Sequence, residues 1–505
     1  MTNSALNPVL DRFHPVTAEY SLANTTVAAP IAIMGVPFDN VTRAQTLTII
    51  HRMVESRCSH YIATADMEFL VQAQTDVELR RILFDAHLVL CNGAPLAWAS
   101  RRLGNQLAER ATGADVVPLI LEAAGIAGYR IFVLGGAEET NRKAAENIAR
   151  QYPDAVIAGR YSPPPASLQN MNHGEIKRQI QKANPDIVLV AFGCPMQEKW
   201  ISMTYRELGV PVVVGVGAAI DSLAGEVKRA PQWMRRTGLE WAWRMGQQPK
   251  GTVGRCMRNL NVFGKEIVRQ MWNTKAPSQK SAGDRVKSLP LASDIQIVVM
   301  PPRLDAASVQ ESRRHWEVAA TKGTVIVDLT ATHFVDSTGV GFLMRLRRLA
   351  REKDSAFALA GVSAAVWRNI EMMKLGEFFP VGATVDHAWE IASESRVNVP
   401  RSEPTTEGIA LHLRGELTEA TATGTFECCA ALINDAHSGQ KVTVVLSQVT
   451  FLDSAGISVL VRLRKLVRAA GLELEFIKPT ASVHNSLRMS GLATLLLNGG
   501  VCELA

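Results

Sequence analysis

The chain has 505 residues, with 54 Lys and Arg against 48 Asp and Glu, which gives a formal charge of +6. Apolar residues make up 47% and charged residues 20% of the chain; these globular values exclude a disordered, collagen-like or disulfide-stapled protein. At roughly 150 residues per domain, the length predicts about three domains. No run of ~18 apolar residues occurs and the N-terminus lacks a basic-then-apolar order, so we expect neither a transmembrane helix nor a signal peptide.

The seven cysteines are scattered and form no C-x-x-C pair. This pattern favours reduced thiols in a cytoplasmic protein over a disulfide framework or a zinc site.

Two stretches rich in Ser, Pro, Lys and Thr, without a sustained apolar period, indicate linkers. We therefore predict an N-terminal extension, a large domain, a linker, a small domain, a second linker and a second small domain: residues 1–30, 31–272, 273–293, 294–395, 396–407 and 408–505.

The two small domains repeat each other. FVDSTGVGFLMRLRRLAR begins at Phe334 and FLDSAGISVLVRLRKLVR begins at Phe451, an offset of 117 residues. A self-match of this quality predicts a duplicated domain, with a separate core in each copy. Each copy combines an apolar strand, an Asp-Ser turn and a long helix; the spacing of Leu343, Leu346 and Leu349, with Ala350, directs one helical face toward a sheet.

In the large domain, short apolar runs alternate with helical patterns such as residues 144–151 and 174–183. Six runs are predicted strands: IAIMGV, HYIATA, HLVLCN, RIFVLGG, DIVLVAFG and PVVVGVG. Strands that alternate with helices predict a parallel sheet covered on both faces. Ligands bind at the carboxyl ends of such strands, so the residues just after each strand are the candidates for a site.

Those strand ends are unusually polar. They carry Thr64, Asp66, Asn92, Gly135, Gly136, Gln197, Glu198 and Asp221. Ordinary turn chemistry explains any one of them, but their convergence at one edge favours a binding site. The pair Gly135–Gly136 precedes a helix and would let backbone N–H groups approach a diphosphate.

Several sequence blocks of this domain resemble the WecG/TagA/CpsF family of bacterial glycosyltransferases. They are MGVPFDNVT, TADMEFL, CNGAPLAWASRRLG, ERATGADVV, VLGG, FGCPMQEKW, GVGAAIDSLAGEVKRAPQW and GLEWAWR. The resemblance implies a Rossmann-like α/β fold and an inverting enzyme at the cytoplasmic face of the membrane. It implies transfer of N-acetylmannosamine, its uronic acid or a related sugar from a UDP donor to a polyprenyl-diphosphate-linked acceptor.

At two positions the chain departs from the family pattern. Asp66 stands where the family usually has Asn, and Asn92 stands where it has the Asp proposed as catalytic base. An amide cannot accept a proton at neutral pH, so Asn92 is not the base. We expect Asp66 to supply the carboxylate from the neighbouring strand. A changed sugar specificity and a lost transferase activity are the alternatives, the latter leaving a nucleotide-sugar-binding interaction protein.

Other family positions are kept. The resemblance implies that Thr64 hydrogen-bonds the sugar, that Arg110 meets the diphosphate or sugar, and that Gln197 and Glu198 line the pocket. Asp221 matches a family Asp, with helix capping as the equal alternative. Without a D-x-D sequence we expect no metal and no cofactor; the leaving diphosphate is then stabilised by cationic side chains.

Residues 228–275 hold 11 Lys and Arg against two Glu, a net +9, so the rest of the chain sums to −3. Four tryptophans lie among them, a combination that suits an anionic membrane surface. The resemblance implies the same role for this basic appendage, which would place the protein peripherally on the inner membrane face. Candidate diphosphate or headgroup contacts are Lys228, Arg229, Arg244, Arg255 and Arg258. The alternative is a solvated basic face with core tryptophans; no nucleic-acid motif accompanies the charge, so we expect no nucleic-acid partner.

The duplicated domains resemble the STAS fold of anti-sigma-factor antagonists and sulfate-transporter tails. The overall prediction is thus an α/β protein, a Rossmann-like parallel-sheet glycosyltransferase domain followed by two small STAS-type α/β domains. The resemblance maps Ser337 and Ser454 onto a phosphorylated serine and implies a serine kinase or anti-sigma factor as partner. The alternative for both serines is N-capping of the following helix.

Overall fold

The computed structural model describes residues 28–108, 113–168, 170–226, 234, 243, 249–273, 288–291, 295–353, 355–395, 400–405, 408–434, 441–489, 492 and 496–497. They form three units, which we call the N-terminal domain (28–273), the first C-terminal domain (288–395) and the second C-terminal domain (401–497). Each unit packs helices against a sheet, which confirms the predicted α/β class.

The described chain opens with an antiparallel hairpin of β1 (Ala28–Ile33) and β2 (Val36–Asn40). Met34 and Gly35 between them have φ angles of 50° and 81°, the left-handed conformation that a two-residue hairpin turn requires. This turn folds the chain back after Ile33. The prediction that residues 31–36 belong to the parallel sheet is therefore wrong.

The N-terminal domain is built on a six-stranded parallel sheet with the order β4-β3-β8-β7-β5-β6. Its strands are β3 (His60–Ala65), β4 (Leu88–Cys91), β5 (Arg130–Gly135), β6 (Val156–Tyr161), β7 (Ile187–Ala191) and β8 (Val212–Gly215). The other five predicted strands are confirmed. The edge strand β6 escaped prediction because it is half-exposed and contains Gly159 and Arg160.

Ten helices of this domain lie among the described residues, and the two predicted helical patterns fall within α6 and α7. The helices are α1 (Arg43–Ser56), α2 (Met67–Ala73), α3 (Val77–Asp85), α4 (Ala94–Arg102), α5 (Gly113–Ala127), α6 (Glu138–Gln151), α7 (His173–Ala183), α8 (Met196–Thr204), α9 (Ala219–Leu223) and α10 (Pro249–Asn273). In the described part of the whole chain, no helix is long and apolar enough to cross a membrane.

The first C-terminal domain has a five-stranded sheet with the order β15-β14-β12-β10-β9, and a separate parallel pair, β11 and β13. Its elements are β9 (Ser288–Leu291), β10 (Ile295–Val299), β11 (Arg303–Leu304), α11 (Ala306–Ala320), β12 (Thr324–Asp328), β13 (Phe334–Val335), α12 (Ser337–Glu352), β14 (Phe357–Ala360), α13 (Ala364–Met372), β15 (Val381–Gly382) and α14 (Val385–Ser395). Strand β9 pairs antiparallel with β10, although the sequence placed it in a linker.

The second C-terminal domain has a four-stranded sheet with the order β16-β17-β18-β19. Its elements are β16 (Arg401–Pro404), β17 (Gly408–Leu417), α15 (Glu419–Asn434), β18 (Lys441–Leu452), α16 (Ser454–Ala469), β19 (Glu473–Ile477) and α17 (Ala481–Met489). Strand β16 also lies within a predicted linker and pairs antiparallel with β17. This domain has its own apolar core, as the duplication predicted.

Helix α12 is buried on nearly all sides, because it packs between its own sheet and the hairpin of the N-terminal domain. Fourteen of its sixteen residues are buried, including the four predicted to face the sheet. Gly341 permits the closest approach, since a Cβ there would lie 2.8 Å from the backbone nitrogen of Ala32. Ala32 and Phe84 thereby join the core of the first C-terminal domain.

Buried ion pairs accompany this packing. Arg348 Nη1 lies 3.0 Å from Asp39 Oδ2, and Arg345 Nε lies 2.6 Å from Glu317 Oε1. Arg345 also lies 3.7 Å from Asp39. The Asp39 carboxylate of the hairpin is thus the partner of Arg348, and Arg345 is paired chiefly with Glu317. Without these carboxylates, the two arginines could not be buried without a large desolvation penalty.

Removal of this carboxylate should weaken the whole assembly. We expect Asp39→Ala to lower the free energy of unfolding by about 3–5 kcal/mol, because Arg348 stays buried without its partner. Urea denaturation monitored by tryptophan fluorescence measures the change. The control is Asp386→Ala on exposed α14, for which we expect a change within about 0.5 kcal/mol; equal effects of the two variants would contradict the structural importance of Asp39.

Candidate active site

The carboxyl edge of the central sheet gathers most of the predicted site residues that the structure describes. Asn92 follows β4, Asp66 follows the adjacent β3, and Gly217 follows β8 beside it. The Asn92 backbone N–H donates to the Ala65 carbonyl oxygen at 2.9 Å, so the tips carrying Asp66 and Asn92 are direct neighbours. The predicted convergence of these two strand ends is thus present.

Asp66 is the N-cap of α2. Its Oδ1 accepts hydrogen bonds from the backbone N–H groups of Glu68 (2.8 Å) and Phe69 (3.2 Å). These bonds orient the carboxylate at the tip of β3 and leave the residue half-buried. The same carboxylate therefore caps α2 at a strand tip that adjoins the tip carrying Asn92.

Thr64 and Gln197 belong to a hydrogen-bonded chain around the end of β8. The Thr64 hydroxyl donates to the Gly215 carbonyl oxygen at 2.8 Å, so its proton is committed to the fold rather than to a sugar. Gly217 N–H donates to Gln197 Oε1 at 3.0 Å, and Gln197 Nε2 donates to Glu198 Oε1 at 2.7 Å. A Cβ at Gly215 would lie 2.5 Å from Gln197 Nε2, so glycine is needed there.

Glu198 is fully buried beneath this edge. Burial raises the pKa of its carboxyl group to about 7, the hydrogen bond from Gln197 opposes that rise, and the charge of Asp66 adds to it. Its Oε2 has no conventional hydrogen-bond donor among the described residues, while the Cys194 thiol interacts with the same carboxyl group. A proton on Glu198 near neutral pH is the consequence.

Two further protic groups lie near Glu198, the buried Tyr61 phenol and the half-buried Cys194 thiol, and the sequence did not single them out. Burial, followed by the charges of Glu198 and Asp66, raises the pKa of the Cys194 thiol, so it stays protonated. Burial and the charge of Glu198 likewise raise the pKa of the Tyr61 phenol well above its usual range. Only the β3 alternation, which puts Tyr61 on the same face as Ala63 and Ala65, could have indicated this cluster.

Gly135 and Gly136 lie at the end of β5, where this strand packs against β7. Gly136 N–H donates to the Ala191 carbonyl oxygen at 2.9 Å and is therefore not available to a ligand. Gly135 has a φ of 90°, and a Cβ there would lie 2.6 Å from the same oxygen. Close packing of β5 against β7 accounts for the glycine at position 135, and the phosphate-binding role of the pair stays a prediction.

Asp221 lies inside α9, half-buried, one residue after Ile220. The N-cap of that helix is Ala218, so the capping alternative for Asp221 is wrong. On α10, Arg258 is exposed, and the side chain of Arg255 lies outside the described residues. Arg110, Lys228, Arg229 and Arg244 also lie outside them.

The same capping alternative is wrong for the serines of the C-terminal domains. The N-caps of α12 and α16 are Asp336 and Asp453, which accept from backbone N–H groups of the following turn. Ser337 is fully buried, and the side chain of Ser454 lies outside the described residues. Within the described ranges, no group of three or more His, Cys, Asp or Glu side chains is arranged to hold a metal ion.

The structure combines a parallel-sheet domain with polar strand ends and two repeated α/β domains. Comparison with known families identifies this combination as a sugar-transferring enzyme with accessory domains. Residues 31–277 match the Glycosyl transferase WecG/TagA/CpsF family, and residues 289–388 and 399–499 match the STAS domain. The chain belongs to the WecG/TagA/CpsF glycosyltransferase family and carries two STAS domains.

Two relatives share the name N-acetylglucosaminyldiphosphoundecaprenol N-acetyl-beta-D-mannosaminyltransferase. The Bacillus subtilis (strain 168) protein is 30% identical over 261 residues, 51% of this chain and 98% of its own length. The Staphylococcus aureus (strain MRSA252) protein is 28% identical over 243 residues, 48% of this chain and 93% of its own. An anti-sigma-factor antagonist (STAS) domain protein from Planctomyces limnophilus matches with a TM-score of 0.20 and 20% identity, covering 22% of this chain and all of that one.

The proton on Glu198 makes a testable contribution to stability. Its folded pKa of about 7 exceeds the ordinary value of 4.5, so the folded protein holds a proton that the unfolded chain releases between these values. Stability from this group is present below about pH 4.5 and is lost as the pH rises through 7, by up to about 3 kcal/mol. Glu198→Gln removes this titration and can still accept the bond from Gln197.

We therefore expect Glu198→Gln to gain stability relative to the unsubstituted protein as the pH rises from about 5 to 8. Urea denaturation at both pH values gives the difference. The matched control is Glu207→Gln, an exposed carboxylate paired with Lys177, whose difference should stay constant. A pH-independent difference for Glu198→Gln would show that Glu198 is ionised throughout.

Proposed function

We propose that this glycosyltransferase moves an N-acetylmannosamine-type sugar from a UDP donor to a polyprenyl-diphosphate-linked acceptor in the synthesis of a surface or extracellular polysaccharide. The observation that carries the proposal is the match to nearly the full length of two enzymes named for that transfer. The convergence of Asp66, Asn92 and the Gln197–Glu198 pair at the ligand-binding edge of the sheet supports it.

In the proposed reaction Asp66 is the general base. Its carboxylate removes the proton of the acceptor hydroxyl while that oxygen attacks the anomeric carbon, and the bond from this carbon to the UDP oxygen breaks with inversion. The charge that develops on the departing diphosphate needs cations, for which Arg110 is the family position. We propose that no metal or cofactor takes part, with the UDP-sugar entering as a substrate.

Because Asp66 caps α2, the variant Asp66→Asn tests the proposed base without removing the helix cap. Asn caps helices as well as Asp does, so the variant keeps α2 while removing the base. We expect transfer to fall about 10²–10⁴-fold with unchanged thermal unfolding. The assay uses UDP-N-acetylmannosamine with a polyprenyl-diphosphate-linked N-acetylglucosamine acceptor, beside a screen of other UDP-sugars.

The control is Asp305→Asn, which changes the N-cap of α11 in the first C-terminal domain in the same way. Unchanged transfer by Asp66→Asn would remove Asp66 from the mechanism. The reciprocal variant, Asn92→Asp, restores the family carboxylate. Turnover by Asn92→Asp alone, with none by the unsubstituted chain, would favour a nucleotide-sugar-binding protein that has lost catalysis.

We further propose that α10 places the enzyme on the inner face of the cell membrane, where an acceptor of this kind lies. The outer side of α10 exposes Met257, Leu260, Val268 and Trp272, with Arg258, Lys265 and Arg269 among them. Trp272 is 75% exposed, which is exceptional for tryptophan in a protein that folds in water. Exposed apolar groups between cations fit an interface with anionic headgroups.

Vesicle binding tests this role. We expect Trp272→Ser to weaken binding to phosphatidylglycerol-containing vesicles several-fold, because tryptophan partitions to the headgroup region. Trp389→Ser removes another exposed tryptophan, 44% exposed on α14, and should bind as the unsubstituted protein does. If both variants sediment equally with vesicles, α10 is not the membrane-binding element.

We propose that the two STAS domains regulate the transferase, with a serine kinase or anti-sigma factor as the external partner. The contact of Ser337 with α10 supports a regulatory link between these domains. Ser454 is the corresponding position of the second C-terminal domain.

A further inference from the structure

Ser337 is buried in the contact between two domains. Its exposure is zero, and its hydroxyl oxygen accepts a hydrogen bond from Gln270 Nε2 of α10 at 2.8 Å. The Gln270 amide also donates to the Ala32 carbonyl oxygen (2.8 Å) and accepts from Met34 N–H (3.0 Å). One buried side chain thus ties Ser337 to the hairpin and to α10 at once.

Where Ser337 faces the N-terminal domain, the packing leaves no space for an added charged group. Gly341, one helical turn further along α12, already lies against the backbone of Ala32. A cavity of about 380 Å³ between the two domains is lined by the adjacent Asp336 but not by Ser337 itself. Its charged groups are two arginines and two aspartates, Arg102, Arg303, Asp305 and Asp336, so it offers an anion no net attraction.

We infer that the end of the first C-terminal domain that carries Ser337 is a docking surface occupied by the N-terminal domain of the same chain, and that a negative charge on Ser337 releases it. A buried, unpaired anion is strongly disfavoured, whereas the released domain would expose it to water. This inference gives a physical basis for the proposed regulation by the STAS domains. Only its biological purpose rests on the proposed function.

Two consequences follow from the shared surface. Any enzyme that modifies Ser337 must act on the released state, because the hydroxyl is inaccessible in the docked one. Docking and modification are thermodynamically linked. Stabilisation of the docked state disfavours modification of Ser337 by the same free energy by which modification weakens docking. An external protein that binds this surface therefore competes with the transferase domain.

Amide hydrogen exchange of the full chain, read by mass spectrometry, tests docking without measuring activity. We expect Ser337→Asp to speed exchange in residues 28–40 by roughly tenfold or more, while residues 324–328 and 357–360 of the first C-terminal domain stay protected. Ser337→Ala removes only the hydrogen bond and should change exchange little. Ser393→Asp is the matched control, because the Ser393 hydroxyl bonds only carbonyls of its own helix.

Unchanged protection of residues 28–40 in Ser337→Asp would overturn the inference, since the charge would then be accommodated in the neighbouring cavity. Should Ser337→Asp instead unfold its domain, Gln270→Glu decides, because it brings a carboxylate to the same contact from α10. Faster exchange in residues 28–40 supports release, and unchanged exchange overturns it. Loss of sugar transfer alone would bear on the proposed function and leave this result untouched.

Discussion

The arrangement of the three domains depends on the burial of one guanidinium group. Arg81 of α3 is 4% exposed, lies 2.8 Å from Asp85, and also pairs with Glu416 of the second C-terminal domain. Its carbon Cζ stands 5.4 Å from the Phe378 ring of the first C-terminal domain and 5.3 Å from the Phe451 ring of the second. A planar cation between aromatic faces and carboxylates requires all three domains in place, because each contributes groups that keep the charge paired.

The surroundings of Arg81 balance charge across the domain boundaries. Burial alone would raise the pKa of Asp85, but the guanidinium groups of Arg351, Arg81 and Arg347 hold it below its usual range. Burial lowers the pKa of Arg347 to about 10, and the neighbouring Arg81 contributes to that fall. The charged groups of the cluster thus depend on partners from other domains, and withdrawal of either C-terminal domain would leave buried charges without partners.

Local periodicity predicted five of the six strands of the parallel sheet and the edge at which the polar residues meet, and the self-match predicted the duplication. The sequence could not predict which copy of the repeat buries its long helix against the N-terminal domain. Arg345 and Arg348 of α12 are buried, whereas Arg462 and Lys465, at the equivalent positions of α16 117 residues later, are exposed. The difference comes from the hairpin that covers α12, a contact between distant segments. For the same reason the sequence could not show that the Gly136 N–H bonds the Ala191 carbonyl oxygen, a partner set by strand order.

Helix α10 has a buried contact on one face and an exposed tryptophan on the opposite face. Gln270 points inward to the hairpin and Ser337, while Trp272, two residues on, is directed to the outside. Because 3.6 residues complete a turn, residues two apart lie on nearly opposite sides, and a rigid helix transmits a displacement of one face to the other. The basic, tryptophan-bearing segment is therefore also the segment that contacts the first C-terminal domain, through Gln270.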